Sequence, residues 1–569
     1  MLETVRRPAV VTTILGKRPR IEIARLVYPV SIGAVVALGT YVRGVRTFAY
    51  DFPLNDGGLF YTMVQDLQQA HYQLPAFTSY NAANIPFTYS PFGLYIAAML
   101  NDITRVSLTN LFRFVPFLVV TLTMLAFFLL ARSILKSKPA VIAALLVFAL
   151  IPRSFIWLIM GGGMTRAFGF LFAILALYTA HEMYERENIR LVFPTALFSG
   201  LTILSHLETG KFLAYSMVIF FFCYGAHRKG VIHASLVGIG TAVIVAPWFI
   251  TVVAYHGLTP FQAANQTGSS IFTGPADRQN IRNMIHVFGL GTNEPYFWLL
   301  GTFGLLGALI VVVRSVASVQ RREYLLPALP IWWLVIVLLD NRAANTYTTI
   351  PVALCAGIGL AEMVIPALNR AIGDLPDARQ FALSLDGASE WRRAAAAVVR
   401  HWPAVLVCGF LLWYAAWGAL TKSANVSGDL PALTSLTKGE RAAMQWTAQE
   451  TPTGSRFLVV SGKGIWPSDD ESEWFPTLSD RISLATPQGY EWMPDMMFQI
   501  QIWKHDQLQA CTFQDSTCLD RWSIMTGDAF DYVYVRNTDG VYPVAASLVA
   551  DYRYDLVYNG PGAMIFARH

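Results

Sequence analysis

Apolar residues recur along this chain in runs long enough to cross a bilayer. A hydrocarbon core about 30 Å thick takes about 20 mostly apolar helical residues. Such runs fall near 24–43, 110–135, 139–158, 166–183, 191–207, 211–227, 231–254, 296–316, 324–340, 347–367 and 402–421, which predicts about eleven transmembrane helices, several short or Pro-interrupted. Between the first two runs lies a segment, 44–109, far too long for a simple connector. Within it Leu59, Phe60, Met63, Val64 and Leu67 form one apolar stripe at helical spacing, opposite Gln65, Gln68 and Gln69. That pattern predicts a helix over 57–70 lying flat at a membrane interface, with a second apolar helix beginning near Pro91. After about residue 422 the pattern changes. Gly439 to Glu450 is composed like a helix and stops before Thr451-Pro452. RFLVV at 456–460 and YVYVR at 532–536 read as strands, and 552–558 and 563–567 flank an Asn-Gly-Pro-Gly turn like a hairpin. The expected architecture is a polytopic α-helical membrane domain over 1–421 followed by a soluble mixed α/β domain over 422–569.

Composition supports the membrane assignment. The 569 residues are 54% hydrophobic and only 14% charged, and the mean hydropathy is +0.44. A soluble chain is about 25% charged, so this one cannot clothe a water-facing surface of its size. A cytosolic enzyme, a disordered chain and a disulfide-knotted secreted mini-protein are excluded. Trp 15, Tyr 24 and Phe 36 suit aromatic belts at two interfaces. The net charge of +5 is a sum over segments and implies no nucleic acid.

Charge placement orients the chain. Arg6, Arg7, Lys17, Arg18, Arg20 and Arg25 precede the first run, so the positive-inside rule expects a cytoplasmic N-terminus. No small-residue cleavage site follows that run, so a cleavable signal peptide is not expected. Alternation then puts Lys136, Lys138, Arg186, Arg190, Arg228, Lys229, Arg314, Arg321, Arg322, Arg370, Arg379, Arg392, Arg393 and Arg400 on the same inner side. An odd span count leaves the C-terminal domain outside, in a multi-pass protein of the plasma (inner) membrane. Cys511 and Cys518 then lie in an oxidising compartment, where they form a disulfide or remain two free thiols.

The outer ends of the spans collect a different set of residues. Asp51 and Asp56 open the first outer loop, and Tyr89 precedes its second helix. Gly161-Gly162-Gly163-Met164-Thr165-Arg166 joins two spans, and His206, Glu208 and Lys211 join two more. Arg278, Arg282, His286 and Glu294 lie in a later outer loop, and Asp340, Asn341 and Arg342 between two further spans. Each has a plain structural reading. Asp56 at the N-terminal end of the interfacial helix is a preferred N-cap, the glycines suit a tight turn or close helix approach, His206 and Glu208 suit an interfacial polar pair, and Arg342 suits snorkelling. Arg153, beside Pro152, either snorkels or marks a broken helix. What favours chemistry is that acids and cations converge on one side, since intramembrane and edge charges mark sites by default. The tail stretch Trp474-Phe475-Pro476, Arg481 and Gln488–Trp492 either stacks on an acceptor sugar or seats the domain on the membrane part. No Walker, dinucleotide or zinc-site spacing is present.

With these residues in view, the sequence resembles the GT-C superfamily of membrane glycosyltransferases, of the protein O-mannosyltransferase and lipid A aminoarabinose transferase type. The resemblance is carried by Asn55-Asp56-Gly57-Gly58 opening the helix of a long first outer loop, by Tyr89-Ser90-Pro91 entering a second, and by Ala443-Met444-Gln445-Trp446 on a tail helix before Thr451-Pro452. It implies an inverting glycosyltransferase that moves a sugar from a polyprenyl-phosphate donor to an acceptor, whether lipid, glycan or protein, at the outer face. On that pattern Asp56 is the general base. Gly57 stands where a second acid often follows and Asp51 is the nearest other acid, so a base-only mechanism is favoured, and a divalent metal stays open as a cofactor that no paired-acid motif supports. Arg342, Arg166 and Lys211, in that order, are expected at the donor phosphate, and His206, Glu208 and Tyr89 at substrate. The rival classes are a lipid or saccharide transporter or flippase, against which no repeat pairs the two halves, and a non-catalytic scaffold for envelope assembly.

Overall fold

A computed structural model describes residues 23–267, 295–320, 328–339, 344–373, 402–424, 432–537 and 542–569. The chain is an integral multi-pass membrane protein. Among the described residues six helices are long and apolar enough to cross a membrane, seven if one bent pair counts as a single span. Shorter apolar helices at Ile189–Ser205, Gly301–Ala317 and Ala328–Leu339 and the helix Trp402–Ala424 fill the other expected runs. Each of the eleven expected runs thus coincides with a described helix or bent helix pair, of which six or seven meet the length of a full span.

From the N-terminal side, α1 (Ile23–Ala49) and α2 (Gly58–Gln69) precede the small hairpin of β1 (Phe77–Thr78) and β2 (Ile85–Pro86). Then come α3 (Phe92–Thr104), α4 (Leu108–Ile134), α5 (Lys138–Leu150) and the short α6 (Ile156–Ile159). They are followed by α7 (Gly163–Glu185), α8 (Val192–Ser205), α9 (Leu207–Phe220), α10 (Arg228–His256) and α11 (Thr259–Thr267).

The predicted 139–158 span is broken. Proline disfavours a helical residue before it, and Ile151 accordingly turns extended with ψ 119° ahead of Pro152. The chain bends by 81° between Lys138–Leu150 and Pro152–Ile159. A break inside lipid frees carbonyls that no water can satisfy. Arg43 of α1, itself buried, donates to Ala149 O at 2.5 Å and to Ser154 Oγ at 3.0 Å, while Ser154 Oγ donates to Phe148 O at 2.8 Å. Arg153 is buried at this break.

The apolar stripe of α2 is covered by protein. Leu59, Met63, Val64 and Leu67 are buried against Leu94, Ala97, Ala98 and Phe112 of α3 and α4, inside protein. A helix that finds a protein partner for its apolar face needs no lipid surface.

The C-terminal domain is built on a five-stranded mixed sheet in the order β4-β3-β5-β7-β6. β3 (Arg456–Val460) runs parallel to β4 (Ile482–Ser483) and to β5 (Tyr532–Arg536), and β6 (Tyr554–Asn559) and β7 (Ala563–Arg568) form the expected hairpin. Alternating residues of β3 feed two cores. Leu458 and Val460 pack with Leu508, Leu519 and Trp522 on one face, and Phe457 and Val459 with Met444, Trp474 and Phe475 on the other. Strands covered on both faces read as unbroken apolar runs, which is why RFLVV lacks a polar alternation. Phe52, in the long loop after α1, belongs to the second core, so that loop and the C-terminal domain share packing. Cys511 and Cys518 are joined as a disulfide.

Candidate functional site

The site is built around the turn Asn55-Asp56-Gly57-Gly58. Asp56 does not cap α2; Gly57 holds that place, at φ 127°, and no side chain caps the helix there. The Asp56 carboxylate turns instead to the N-terminus of α7, whose N-cap is Gly162. Oδ1 accepts from Gly162 N–H at 2.9 Å, and Oδ2 is paired with the Arg166 guanidinium. Both interactions suit a carboxylate, since a helix N-terminus offers free N–H donors and a partly buried polar group needs hydrogen-bond partners. The Asp56 side chain remains 15% exposed and Arg166 21%, so the pair is held but reachable.

Gly161 explains how two backbones come so close. A Cβ there would meet Asp56 O at 2.0 Å, and its own N–H donates to Leu54 O at 2.9 Å. The triglycine is thus the close-approach device the plain reading proposed, with the Asp56 turn as the partner it approaches.

The C-terminal domain closes the other side of the turn. The helix Asp470–Ser479 touches the turn at three of its four residues. Trp474 Nε1 donates to Asn55 O at 2.8 Å, Gly57 N–H donates to Glu473 Oε1 at 2.8 Å, and Thr477 Oγ1 donates to Gly58 O at 2.8 Å. Trp474 is fully buried and packs edge-on against Phe52 with centroids 4.7 Å apart. Glu473 is buried beside Asp56, and burial, then the Asp56 charge, push its carboxyl up to about 8. Glu491 accepts from the Tyr89 hydroxyl, and burial pushes its carboxyl up to about 7. Tyr89 also packs against Trp492 and Phe60, each at 4.9 Å.

The remaining expected site residues scatter. Asp51 pairs with Arg441 Nη2 at 2.8 Å, and the hydrogen bond from Arg441, with its charge and that of Lys438, holds the Asp51 carboxyl below its usual range. It is a docking contact between the domains and makes no pair with Asp56. His206 caps α9, its Nδ1 accepting from Thr209 N–H at 3.3 Å. Glu208 lies in the first turn of α9, where a negative charge suits the helix N-terminus, and Lys211 is exposed. Arg342 lies outside the described residues, as do Arg278, Arg282, His286, Glu294, Asp340 and Asn341.

Sequence reasoning missed Glu473 and Glu491 as site groups. Each sits beside a tryptophan, Glu473-Trp474 and Glu491-Trp492, inside the aromatic stretch read as a platform or a seat. The acids were the stronger signal there, because a carboxylate among large aromatics is costly to bury without a purpose.

The fold has known counterparts. Residues 87–353, under half of the chain, match the family model of a 6-pyruvoyl-tetrahydropterin synthase related domain, described as a membrane protein. No curated protein gives a significant match. The archaeal oligosaccharyltransferase AglB of Archaeoglobus fulgidus, solved with an inhibitory peptide and a dolichol-phosphate, is similar in structure. The TM-score is 0.57 and the identity 14%, over 90% of this chain and 70% of that one. The mycobacterial arabinofuranosyltransferase AftD matches at TM-score 0.51 and 15% identity, over 96% of this chain but 40% of its own. At such identities the likeness is one of fold.

Proposed function

We propose, starting from the GT-C glycosyltransferase fold that this chain shares, that it is an inverting glycosyltransferase using a polyprenyl-phosphate-linked sugar as donor. The observation that carries the reading is the Asp56 carboxylate, fixed by Gly162 N–H and Arg166 yet still reachable. The turn is that of the Asn-Asp-Gly-Gly motif at the start of the first long loop. Asp56 takes the proton of an acceptor hydroxyl as that oxygen attacks the anomeric carbon. Attack from the face opposite the leaving phosphate inverts the configuration, and the lipid phosphate departs carrying negative charge that cations must meet.

Arg166 is engaged with Asp56, so its first role is to orient the base. The phosphate then falls to Lys211, exposed on α9, and to Arg342. That order of duties differs from the one the sequence suggested. No step draws on a metal ion.

The site faces the extracytoplasmic side in this reading. Lys229 at the start of α10 pairs with Glu187 just after α7 at 2.5 Å, and Lys138 at the start of α5 lies over the Tyr28 ring of α1, which agrees with basic loops collected at one end of the helices. Asp56 docks at the start of α7, whose other end lies 22 residues on at Glu185 near that basic end. By the positive-inside rule the basic end is cytoplasmic.

The test is release of polyprenyl phosphate from a panel of synthetic polyprenyl-phosphate sugars by purified protein. Asp56→Asn keeps the size and the Gly162 hydrogen bond but removes the base. It should abolish release while the variant inserts and melts like the parent; an active Asn variant refutes the general base.

A further inference from the structure

The helix Asp470–Ser479 clamps the Asp56 turn, taking Asn55 O, Gly57 N–H and Gly58 O through Trp474, Glu473 and Thr477. The same domain makes a second contact beside this clamp. Gln488 Nε2 donates to Glu473 Oε2 at 3.3 Å, and the chain then turns at Gly489, which stands at φ 90°. A Cβ there would meet Ile85 Cδ1 at 2.6 Å, so both the conformation and the close approach call for glycine. The turn Tyr490–Trp492 is thereby set against the long loop that carries Asp56.

This short stretch holds polar atoms with nothing to bond. Gln488 Oε1, Glu491 Oε2 and Trp492 Nε1 are buried and have no hydrogen-bond partner among the described residues. Gln488 is 8% exposed and Trp492 6%. Buried polar groups are bonded as a rule, and each exception asks for a water or a ligand. Here two acceptors and one donor stand together, the mixture that sugar hydroxyls satisfy, since each hydroxyl both donates and accepts. Aromatic rings wall them in. Tyr89, whose hydroxyl donates to Glu491, meets Trp492 and Phe60 edge-on at 4.9 Å each, and Phe261 meets Trp492 at 6.3 Å. Phe60, Tyr89, Glu491 and Phe261 are only half-buried. Few convergent polar atoms within a mostly apolar wall is the usual make-up of a small-ligand site.

We propose, resting on the reading of Asp56 as the base, that Gln488, Glu491 and Trp492, walled by Tyr89 and Phe60, form the acceptor subsite and that the acceptor is a neutral glycan. Phe60 ties the patch to the chemistry, since it lies in the first turn of α2, directly after the Asp56 turn. Other acceptor classes fit less well. None of these residues is a cation, so a lipid phosphate or an acidic sugar finds no counter-charge there. An extended peptide binds by pairing with a sheet edge, and at the edge strand β4, five residues before Gln488, Ser483 is already closed by Asn81. Asn81 Nδ2 donates to Ser483 O at 2.9 Å and Ser483 N–H donates to Asn81 Oδ1 at 2.7 Å. In the transfer, the glycan hydroxyl oxygen bonds to the anomeric carbon as the bond from that carbon to the phosphate oxygen breaks. The hydroxyl proton goes to Asp56, and the polyprenyl phosphate leaves with the electron pair.

The experiment uses the full chain in lipid nanodiscs. The probes are methyl glycosides of glucose, galactose, mannose and N-acetylglucosamine and their disaccharides, with a Ser/Thr peptide and phosphatidylglycerol as comparators. Saturation-transfer NMR should show a saccharide bound to the wild type and equally to Asp56→Asn. Trp492→Phe keeps an aromatic ring but loses the Nε1 donor, and should weaken that binding about tenfold, as one lost hydrogen bond to a buried group does. Glu491→Gln is the second variant, read alone if Trp492→Phe is unstable, and should weaken binding as well. In the polyprenyl-phosphate release assay the bound saccharide should raise the rate and be recovered with one more sugar. Trp492→Phe should raise the saccharide KM and leave the donor KM unchanged. No saccharide bound by the wild type, undiminished binding in both variants, or release raised by the peptide or the phospholipid instead, each overturns the proposal. Transfer by Asp56→Asn onto a bound saccharide sinks the general base and leaves the subsite standing. Release that needs Asp56 but ignores every saccharide sinks the subsite alone.

Discussion

Gly161→Ala is the sharpest test of how Asp56 is held. A Cβ at 161 would lie 2.0 Å from Asp56 O, 3.1 Å from Asp56 C and 3.2 Å from Gly57 Cα. All three neighbours are backbone, so no side chain can swing away. The Asp56 turn must retreat by about 1 Å, and forced overpacking of that kind costs about 1–3 kcal/mol. The retreat would also stretch the bond from Gly162 N–H to Asp56 Oδ1, now 2.9 Å. Misplacing a catalytic group by about 1 Å costs about 100-fold in rate, so transfer should fall much further than stability does. Gly238→Ala is the matched control, because a Cβ there meets nothing within 4 Å. Inside α10 it should be neutral or stabilising by about 0.5–1 kcal/mol. Both variants are compared by thermal unfolding of detergent-purified protein and by polyprenyl-phosphate release. If Gly161→Ala melts with the parent and turns over at the parent's rate, the close approach does not position Asp56 and the geometric reasoning fails.

Three further outcomes follow from the same geometry. Trp474→Ala should destabilise docking of the C-terminal domain by about 3–5 kcal/mol, as expected for a buried aromatic, whereas Trp474→Phe should cost about 1–3 kcal/mol for the Asn55 carbonyl left unpaired; limited proteolysis and melting would rank them. The pH dependence of stability has a definite sign: Glu473 and Glu491 carry folded values of about 8 and about 7 against a usual 4.5. Their contribution is full below about pH 4.5 and is lost as pH rises through those folded values, amounting to a few kcal/mol at most. Melting midpoints should therefore drop from pH 5 to pH 8, and Glu473→Gln with Glu491→Gln should flatten the curve. Replacing Cys511 and Cys518 by Ser should cost the C-terminal domain about 2–3 kcal/mol by the loop-closure relation for so short a loop, read in urea melts with and without reductant.

Periodicity was enough for most of the fold. The apolar runs, the α2 stripe, the two buried strands and the terminal hairpin all report local rules that a sequence window contains. The break at Ile151-Pro152 was visible as Pro and Arg inside an apolar run, but its stabilisation by Arg43 depends on a residue 106 positions away from Ala149. The site was legible only where one segment carried it. Asp56 stood out because acid, glycines and helix start are contiguous. Asp51 was misread for the same reason, since nearness in sequence put it with Asp56 while the fold gave it to Arg441. Glu473 and Glu491 belong to the turn and to Tyr89 only through tertiary contact, and no local pattern encodes that pairing. Arg166 was expected at the donor phosphate, and its pairing with Asp56 could not be read because the two lie 110 residues apart.

The clamp has a consequence in time. Gly57 and Glu473 are separated by 416 residues, and at synthesis rates of about 5–20 residues per second a ribosome needs on the order of 20–80 s to travel between them. During that interval the first long loop has been made and the later helices are still being inserted, yet the Asp56 turn lacks its C-terminal-domain partners for Asn55 O, Gly57 N–H and Gly58 O. The Asp56 turn is thus among the last features of the molecule to take its final shape. A half-made chain in the membrane carries the residue without its geometry, and the ability to act arrives together with the domain that closes over it.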